Sequence, residues 1–376
     1  MADITGTPGD DTLIGTIDDD VIVGLEGDDT INGLQGDDQL RGDEDDDTID
    51  GGDDHDFLAG GDGNDQLFGG SGDDFLRGDL GDDLLDGGSG INRVSYAIGA
   101  VGGVTVSLLL QGANQNTGSA GIDTLFNIHH LSGTIFDDIL IGDGGDNWIW
   151  GGSNNIGVTG DDTISAGGGN DLVTVGIGDH DLDGGADTDT LSFFGAENDI
   201  SAAGVTVSLL LQGAAQDTEQ GLMILGEFEN LSGSNFDDEL TGDDGDNLLA
   251  GDSGADTLLG GWGNDVLLGD GRIGVDSHGA GTSGPIIRVD DVGIAAFPSP
   301  VGHDVLDGGR GDDTLAAQDG VDRVRADSGD DEVRLEDDDA RDSVSCGPGD
   351  DLVVWFGPRD PLDVLSGCER LRVLEE

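Results

Sequence analysis

The chain has 376 residues and a formal net charge of −69, which 82 acidic and 13 basic residues produce. This charge argues against nucleic acid and anionic membrane surfaces as partners, and no apolar run is long enough for a transmembrane segment. Aspartate outnumbers glutamate 70 to 12. That excess indicates short carboxylates placed in tight turns, because a surface that only needed solubility would use both acids.

Residues 6–86 consist of nine consecutive nonapeptides, from GTPGDDTLI to GDLGDDLLD. Position 1 is always Gly, position 6 is always Asp and position 8 is always Leu or Ile. A period this strict is typical of a solenoid. Positions 7 to 9 predict a three-residue strand with one inward side chain, after a six-residue turn in which glycine permits positive φ. We therefore expect two units per coil, with Leu and Ile packed between two parallel sheets.

The hydrophobic content of one unit is small for its length. A single buried Leu or Ile does not offset the entropy lost when nine residues are ordered, and the acidic turns repel one another. A hard cation bound among the turn oxygens would supply stability and cancel charge, and Ca²⁺ accepts about 6–8 oxygen ligands in a flexible shell. The alternative is a low-complexity acidic tail, which does not explain an apolar residue in every unit.

The pattern resembles the GGxGxDx-(apolar)-x nonapeptide of the repeats-in-toxin (RTX) family. The resemblance implies an all-β fold, a parallel β-roll (a β-helix-like solenoid), with several Ca²⁺ ions held between successive turns. It also implies that the position-6 aspartates are ligands and that turn carbonyls complete each shell. The predicted metal ligands are Asp11, Asp20, Asp29, Asp38, Asp47, Asp56, Asp65, Asp74, Asp83, Asp138, Asp162, Asp171, Asp189, Asp238, Asp256, Asp265, Asp304, Asp313, Asp322 and Asp331.

The repeat is interrupted twice by related segments. VTVSLLLQGANQ at 104–115 matches VTVSLLLQGAAQ at 205–216, which indicates an internal duplication of roughly 100 residues. The alternation at 104–108 predicts a longer strand. Between the interruptions the repeat returns, with about six extra residues before Asp162. Asn147 and His180 replace Asp at position 6 there, so we expect weaker or empty calcium positions at these two units.

The predicted division of the chain is a first repeat block at 1–90, an inserted β segment at 91–132, a second block at 133–192, a duplicate insert at 193–232, a third block at 233–354 and a cap at 355–376. A proline-containing loop insertion is expected at 272–301. Cys346 and Cys368 are predicted to form a disulfide in the cap, worth about 3 kcal/mol. The alternative is two free thiols.

Motifs that suggest catalysis have simpler explanations. GDSG at 251–254 resembles a serine-protease segment, but it occupies positions 1 to 4 of a repeat unit. GDGRIG at 269–274 fits G-x-G-x-x-G without a following helix, and two cysteines do not favour a zinc site. The sequence therefore predicts no enzyme.

Two tryptophans stand out in the second block. Trp148 and Trp150 flank Ile149 and should point away from the core. They either bind a glycan or a protein, or lie beneath an inserted segment, and we favour the second interpretation.

The expected function is that of a secreted calcium-binding structural protein that folds when it meets calcium outside the cell or at its surface. Neither a signal peptide nor an obvious C-terminal export signal is visible. One alternative is an adhesin or surface-layer component with a cell-surface glycan or protein as partner. Another is the accessory roll of a secreted hydrolase whose catalytic part lies elsewhere.

Overall fold

A computed structural model describes residues 1–152, 160–193, 203–269, 273, 303–317, 320–336, 340–356 and 361–374. These residues form two compact units that divide after residue 173. All their regular structure is β-strand apart from two short 3-10 turns, Leu108–Leu110 and Leu209–Leu211. The all-β prediction is confirmed. The predicted loop insertion at 272–301 lies outside the described residues, with Ile273 as the exception.

The strands of the first part of the chain are short and regularly spaced. They are β1 Asp3–Thr5, β2 Thr12–Ile14, β3 Val21–Glu26, β4 Thr30–Gln35, β5 Gln39–Glu44, β6 Thr48–Asp53, β7 Phe57–Asp62, β8 Gln66–Ser71, β9 Phe75–Leu80, β10 Leu84–Ser89, β11 Arg93–Ser95, β12 Thr105–Ser107, β13 Asn114–Asn116, β14 Ile122–Phe126, β15 His130–Ser132, β16 Ile139–Ile141, β17 Trp148–Trp150 and β18 Thr163–Gly168.

The second part continues the same pattern. Its strands are β19 Leu172–Thr174, β20 His180–Ala186, β21 Thr190–Ser192, β22 Thr206–Ser208, β23 Ala215–Asp217, β24 Leu222–Gly226, β25 Asn230–Ser232, β26 Glu239–Thr241, β27 Leu248–Ala250, β28 Thr257–Trp262, β29 Val266–Leu268, β30 Val305–Arg310, β31 Thr314–Ala316, β32 Arg323–Ser328, β33 Glu332–Glu336, β34 Ser343–Ser345, β35 Leu352–Phe356, β36 Val364–Ser366 and β37 Arg370–Leu374.

Alternate strands pair in parallel and build a roll. In the first unit, β1, β3, β5, β7, β9, β11, β15 and β17 form one sheet, and β2, β4, β6, β8, β10 and β14 form the opposite one. Strand residues of the first block pair with residues 18 positions later, as Ile22 does with Leu40. One coil therefore contains two nonapeptides, as predicted.

The second unit repeats this arrangement. One sheet runs β21, β25, β27, β29, β31, β33, β35 and β37. The other runs β22, β26, β28, β30, β32, β34 and β36. The parallel β-roll is thus present in both units.

The core of the roll is the column of position-8 side chains. From Ile22 to Leu85, all eight in the first block are at most 1% exposed. Leu13, in the second strand, is only half-buried. Because these side chains alternate with outward neighbours along each strand, one apolar residue per unit is enough to fill the space between the sheets.

Most strands of the first block are longer than the predicted three residues. From β3 to β10 each has six, because positions 1 to 3 of the next unit continue the ladder, with Leu25 opposite Asp43. The extension requires position 2 to enter the left-handed region, where Gly52 has φ 118° and Leu34 has φ 85°. A side chain in this region is strained, so glycine is the preferred residue.

We expect Leu34→Gly to stabilise the protein by about 1 kcal/mol, because left-handed backbone costs a residue with a Cβ roughly 1–2 kcal/mol. The Leu34 side chain is 40% exposed, so little burial is lost. The control is Leu110→Gly, an exposed leucine without positive φ, which should destabilise by roughly 0.5–1 kcal/mol. Urea unfolding in excess calcium measures both. Equal losses in the two variants would contradict this explanation.

The two interruptions have the same structure. Each contributes a three-residue strand (β12 or β22), a 3-10 turn and an antiparallel strand (β13 or β23) on the edge of a parallel one. The prediction of a longer strand at 104–108 is wrong. The strand ends at Ser107, where a 3-10 turn begins and the Ser107 hydroxyl accepts the N–H of Leu109.

The predicted disulfide is present between Cys346 and Cys368. It connects the end of β34 to the segment between β36 and β37. It therefore ties together the last two coils of the second unit, where the nine-residue register is lost.

Candidate metal centre

Most position-6 aspartates connect two coils. The Oδ1 of Asp65 accepts the backbone N–H of Asp47, one coil earlier, at 2.8 Å, and the Asp47 carbonyl accepts the N–H of Gln66 at 2.8 Å. The same pair of bonds recurs along the first block, for example from Asp38 to Asp56. We call this column of hydrogen bonds between coils the aspartate ladder. One carboxylate oxygen of each such aspartate takes part in the ladder, and this bond holds the side chain in a fixed position.

The second carboxylate oxygen of these side chains is buried without a hydrogen-bond donor. A buried acceptor in this condition costs about 1–3 kcal/mol, and more when it is charged. The residues whose Oδ2 is in this situation include Asp29, Asp38, Asp47, Asp56, Asp65, Asp74, Asp83, Asp265, Asp304, Asp313, Asp331 and Asp351. A bound cation would remove this cost.

Glycine at position 1 keeps the space beside that oxygen open. A Cβ built on Gly42 would overlap the Oδ2 of Asp47 and lie 2.8 Å from the carbonyl oxygen of Gly60, in the next coil. At Gly24 the equivalent carbonyl is that of Gly42, also at 2.8 Å. Carboxylate and carbonyl oxygens from two coils thus converge on a space that only glycine leaves free, and these are the donors that Ca²⁺ prefers.

The donor set favours a hard cation over a transition metal. No group of three His, Cys, Asp or Glu side chains with metal-binding geometry occurs among the described residues. The turns instead offer one carboxylate beside a backbone carbonyl of the next coil, as Asp47 lies beside the Gly60 carbonyl. Zinc and similar metals require nitrogen or sulfur side chains, so the residues present fit calcium.

The burial of these carboxylates changes their acidity in the metal-free protein. Loss of solvation is the largest effect and raises the pKa of Asp47 to about 7 and that of Asp56 and Asp83 to about 8. The backbone N–H from the preceding coil lowers each pKa, and neighbouring ladder carboxylates raise it. Without a cation, the ionised ladder is therefore unfavourable near neutral pH.

The structure places all twenty predicted ligands at the same position of the roll. Nineteen are at most 3% exposed, and Asp11, near the chain start, is half-buried. Asp162 accepts from Asp138 across 24 residues, which accounts for the six extra residues between them. The role of the twenty as metal ligands stays a prediction.

Four aspartates that the sequence analysis missed occupy equivalent ladder positions. Asp123, for example, accepts the N–H of Asp83 at 3.1 Å. The spacing from the previous ladder residue is 20, 21 or 40 residues, so a search for the period of nine passes over them. The signal that could have found them is the triplet Asp-x-apolar. The four are Asp123, Asp342, Asp351 and Asp363.

We expect Gly42→Ala to weaken calcium binding and to destabilise the calcium-loaded roll by about 2–3 kcal/mol, the linkage value of one site at a hundredfold excess of ligand. The backbone of Gly42 lies outside the left-handed region, so the change acts through the space the methyl group fills. Gly144→Ala is the control, since no atom lies within 4 Å of its added Cβ, and it should stay within about 0.5 kcal/mol of wild type. Thermal unfolding and the amount of bound calcium measure both variants. If the two variants behaved alike, the space beside Gly42 would not be a calcium site.

The fold and these turns define a parallel β-roll whose turns present oxygen atoms suited to a hard cation. The family model described as RTX calcium-binding nonapeptide repeat (4 copies) matches residues 5–40, 25–58, 32–67, 59–94, 130–155, 156–191, 232–270 and 301–333, which together cover more than half of the chain. The chain belongs to this family of calcium-binding repeat proteins. No curated protein matched it at a significant level. No helix among the described residues is long and apolar enough to cross a membrane.

Proposed function

We propose that this chain is a calcium-dependent structural module that binds many Ca²⁺ ions and folds on binding them outside the cell. The observation that carries the proposal is the repeated buried Oδ2 without a donor, as in Asp47 and Asp29, beside a carbonyl oxygen of the next coil. A calcium ion in that space would satisfy the carboxylate and bridge two coils.

The energetic effect of calcium grows with the number of turns. A ligand that binds only the folded state adds about 2.7 kcal/mol per site when its concentration is a hundred times the dissociation constant. Extracellular calcium modules have dissociation constants on the order of 10⁻⁴ to 10⁻³ M. A roll with many such sites would therefore be unstable at low intracellular calcium and stable outside.

The test is a calcium titration of the metal-free chain, followed by circular dichroism and by metal analysis of the loaded protein. We expect β structure to appear with calcium and several ions to remain bound per chain. Magnesium at the same ionic strength is the control, because it demands a tighter octahedral shell. Unchanged β content between chelator and excess calcium, or a loaded protein without bound calcium, would refute the proposal.

A second candidate function is adhesion, and a column of outward side chains on the first unit favours it. Phe57 and Phe75 stack with ring centroids 5.3 Å apart. The Arg93 guanidinium lies 4.3 Å from the Phe75 ring centroid and 4.9 Å from that of Trp148. Trp148 and Trp150 are half-buried, while Ile149 between them is fully buried. Flat aromatic faces of this kind pack against sugar rings and apolar protein surfaces.

The adhesive function predicts that binding depends on these rings. Binding to immobilised glycans and cell-wall fractions should fall when Trp148 and Trp150 are both replaced by alanine. The control is Trp262→Ala, at an exposed tryptophan of the second unit. Circular dichroism in calcium verifies that each variant is folded. Equal binding by the folded double variant and by wild type would eliminate this surface.

A further inference from the structure

Two conformations recur among the described repeat turns. In the first, the preceding strand has six residues and position 2 has positive φ, as at Leu25 (94°) and Asp43 (84°). In the second, the strand stops after three residues and position 2 has no positive φ. Among the described residues, six units of the second kind also donate the position-2 N–H to the position-6 side chain, and their position-2 residues are Thr7, Thr16, Thr134, Asp143, Ser234 and Asp243.

The second conformation closes the turn with hydrogen bonds, and we call these six units capped turns. The position-2 N–H donates to the position-6 side chain four residues later, from Thr134 to the Oδ2 of Asp138 at 2.6 Å and from Ser234 to that of Asp238 at 2.7 Å. The hydroxyls of Thr134 and Ser234 add a bond of 3.0 Å to Oδ1 of the same aspartates. The oxygen that is buried without a donor in Asp47 or Asp65 is therefore satisfied by the protein itself in these turns.

In two capped turns the position-6 residue is asparagine, and its amide group also donates a hydrogen bond to the neighbouring coil. Asn147 accepts the N–H of Asp143 at 2.7 Å, and its Nδ2 donates to the carbonyl oxygen of His129 at 2.9 Å. Asn247 accepts from Asp243 at 2.7 Å and donates to Glu229 at 2.8 Å. The amide hydrogens thus supply positive charge to a carbonyl oxygen of the neighbouring coil, which is a role that a cation would otherwise fill.

The capped turns come in consecutive pairs. The pairs begin at Gly6 and Gly15, at Gly133 and Gly142, and at Gly233 and Gly242. Two successive units make one coil, so each pair is one complete coil. Two of the pairs, at 133–150 and 233–250, directly follow an interruption, and the third occupies residues 6–23.

We propose that the capped pairs are metal-independent coils and that calcium binds at the uncapped turns. Donors directed at the position-6 oxygen take the place of the cation and repel it. The run of repeats after each interruption then starts on a coil that closes with its own hydrogen bonds and offers a template edge to the calcium-dependent coils after it. This inference rests on the proposed function and refines it, because it divides the predicted ligands into two classes.

The experiment compares two double variants with the same chemical change. Asp138→Asn with Asp238→Asn alters two capped turns, and Asp65→Asn with Asp313→Asn alters two uncapped turns. Native mass spectrometry in saturating calcium counts the bound ions. The capped variant should bind as many ions as wild type, whereas the uncapped variant should lose at least one.

A second measurement on the unmodified chain keeps the inference testable if a variant fails to fold. In chelator, hydrogen exchange should be slower for residues 133–150 and 233–250 than for residues 24–86. Equal loss of ions from both double variants, or uniform exchange along the metal-free chain, would overturn the inference and leave the proposed function intact. A wild-type chain that binds no calcium would overturn both.

Discussion

The metal-free chain is expected to gain β structure as the pH is lowered from about 8 to about 4. The reason is the raised pKa of the ladder carboxylates, about 7 for Asp47 and about 8 for Asp56 and Asp83, which burial causes. The unfolded chain releases these protons near pH 3.9. A proton on each carboxylate removes both the cost of burying charge and the repulsion along the ladder.

The sign of the effect follows from proton linkage. The folded state binds its protons more tightly than the unfolded state, so the contribution of these groups to stability is fully present below the unfolded pKa. It is lost as the pH rises from about 4 through the folded pKa values of about 7 to 8. The metal-free protein should therefore be least structured in the range where the calcium-loaded protein is stable.

Calcium should reverse this dependence. A bound cation favours the carboxylate over the protonated acid, so the loaded protein should lose stability as the pH falls and protons displace calcium. Circular dichroism over the same pH range, with and without excess calcium, gives two curves of opposite slope. Parallel curves would mean that the buried carboxylates do not control folding.

The second large effect is expected at a single ladder aspartate. In saturating calcium, Asp65→Asn should destabilise the roll by about 2.7 kcal/mol, the value of one site at a hundredfold excess of calcium over its dissociation constant. Asp65→Ala should cost about 1–3 kcal/mol more. The difference arises because asparagine retains an oxygen for the Asp47 N–H, whereas alanine leaves that donor buried and unpaired.

Asp62→Ala is the matched control for charge. Asp62 lies three residues earlier in the same coil and is exposed. Its replacement by alanine removes the same single charge as the Asp65 variants do. It should stay within about 0.5 kcal/mol of wild type. Urea unfolding in calcium measures all three variants. If Asp65→Asn and Asp62→Ala had equal effects, net charge and not the ladder position would explain the loss.

Much of the fold could be predicted from the sequence because the fixed spacing of the repeat determines which side chains point inward. An inward residue in every nonapeptide predicts two units per coil, and the structure confirms this with Ile22 opposite Leu40. The duplicated VTVSLLLQGA segments predict two equivalent inserts, and both form the same strand and 3-10 turn. The disulfide between Cys346 and Cys368 is predicted from an even pair of cysteines in a chain expected to be secreted, and it is present.

Other features could not be predicted because they depend on contacts between coils. Whether position 2 extends a strand or caps a turn is decided by competition between the ladder of the next coil and the position-6 oxygen. Asp43 and Asp143 are the same residue at the same position, yet the first lies in a six-residue strand and the second caps Asn147.

The sequence by itself determined the period, the inward column and the acidic turns, because each depends on residue type at a fixed spacing. Only the tertiary structure decided which carboxylate oxygens are left without a donor. That outcome depends on where the neighbouring coil places its N–H and carbonyl groups. Asp123 and Asp363 join the ladder for the same reason. The chain returns to the roll there after 40 and 21 residues, and neither number is a multiple of nine.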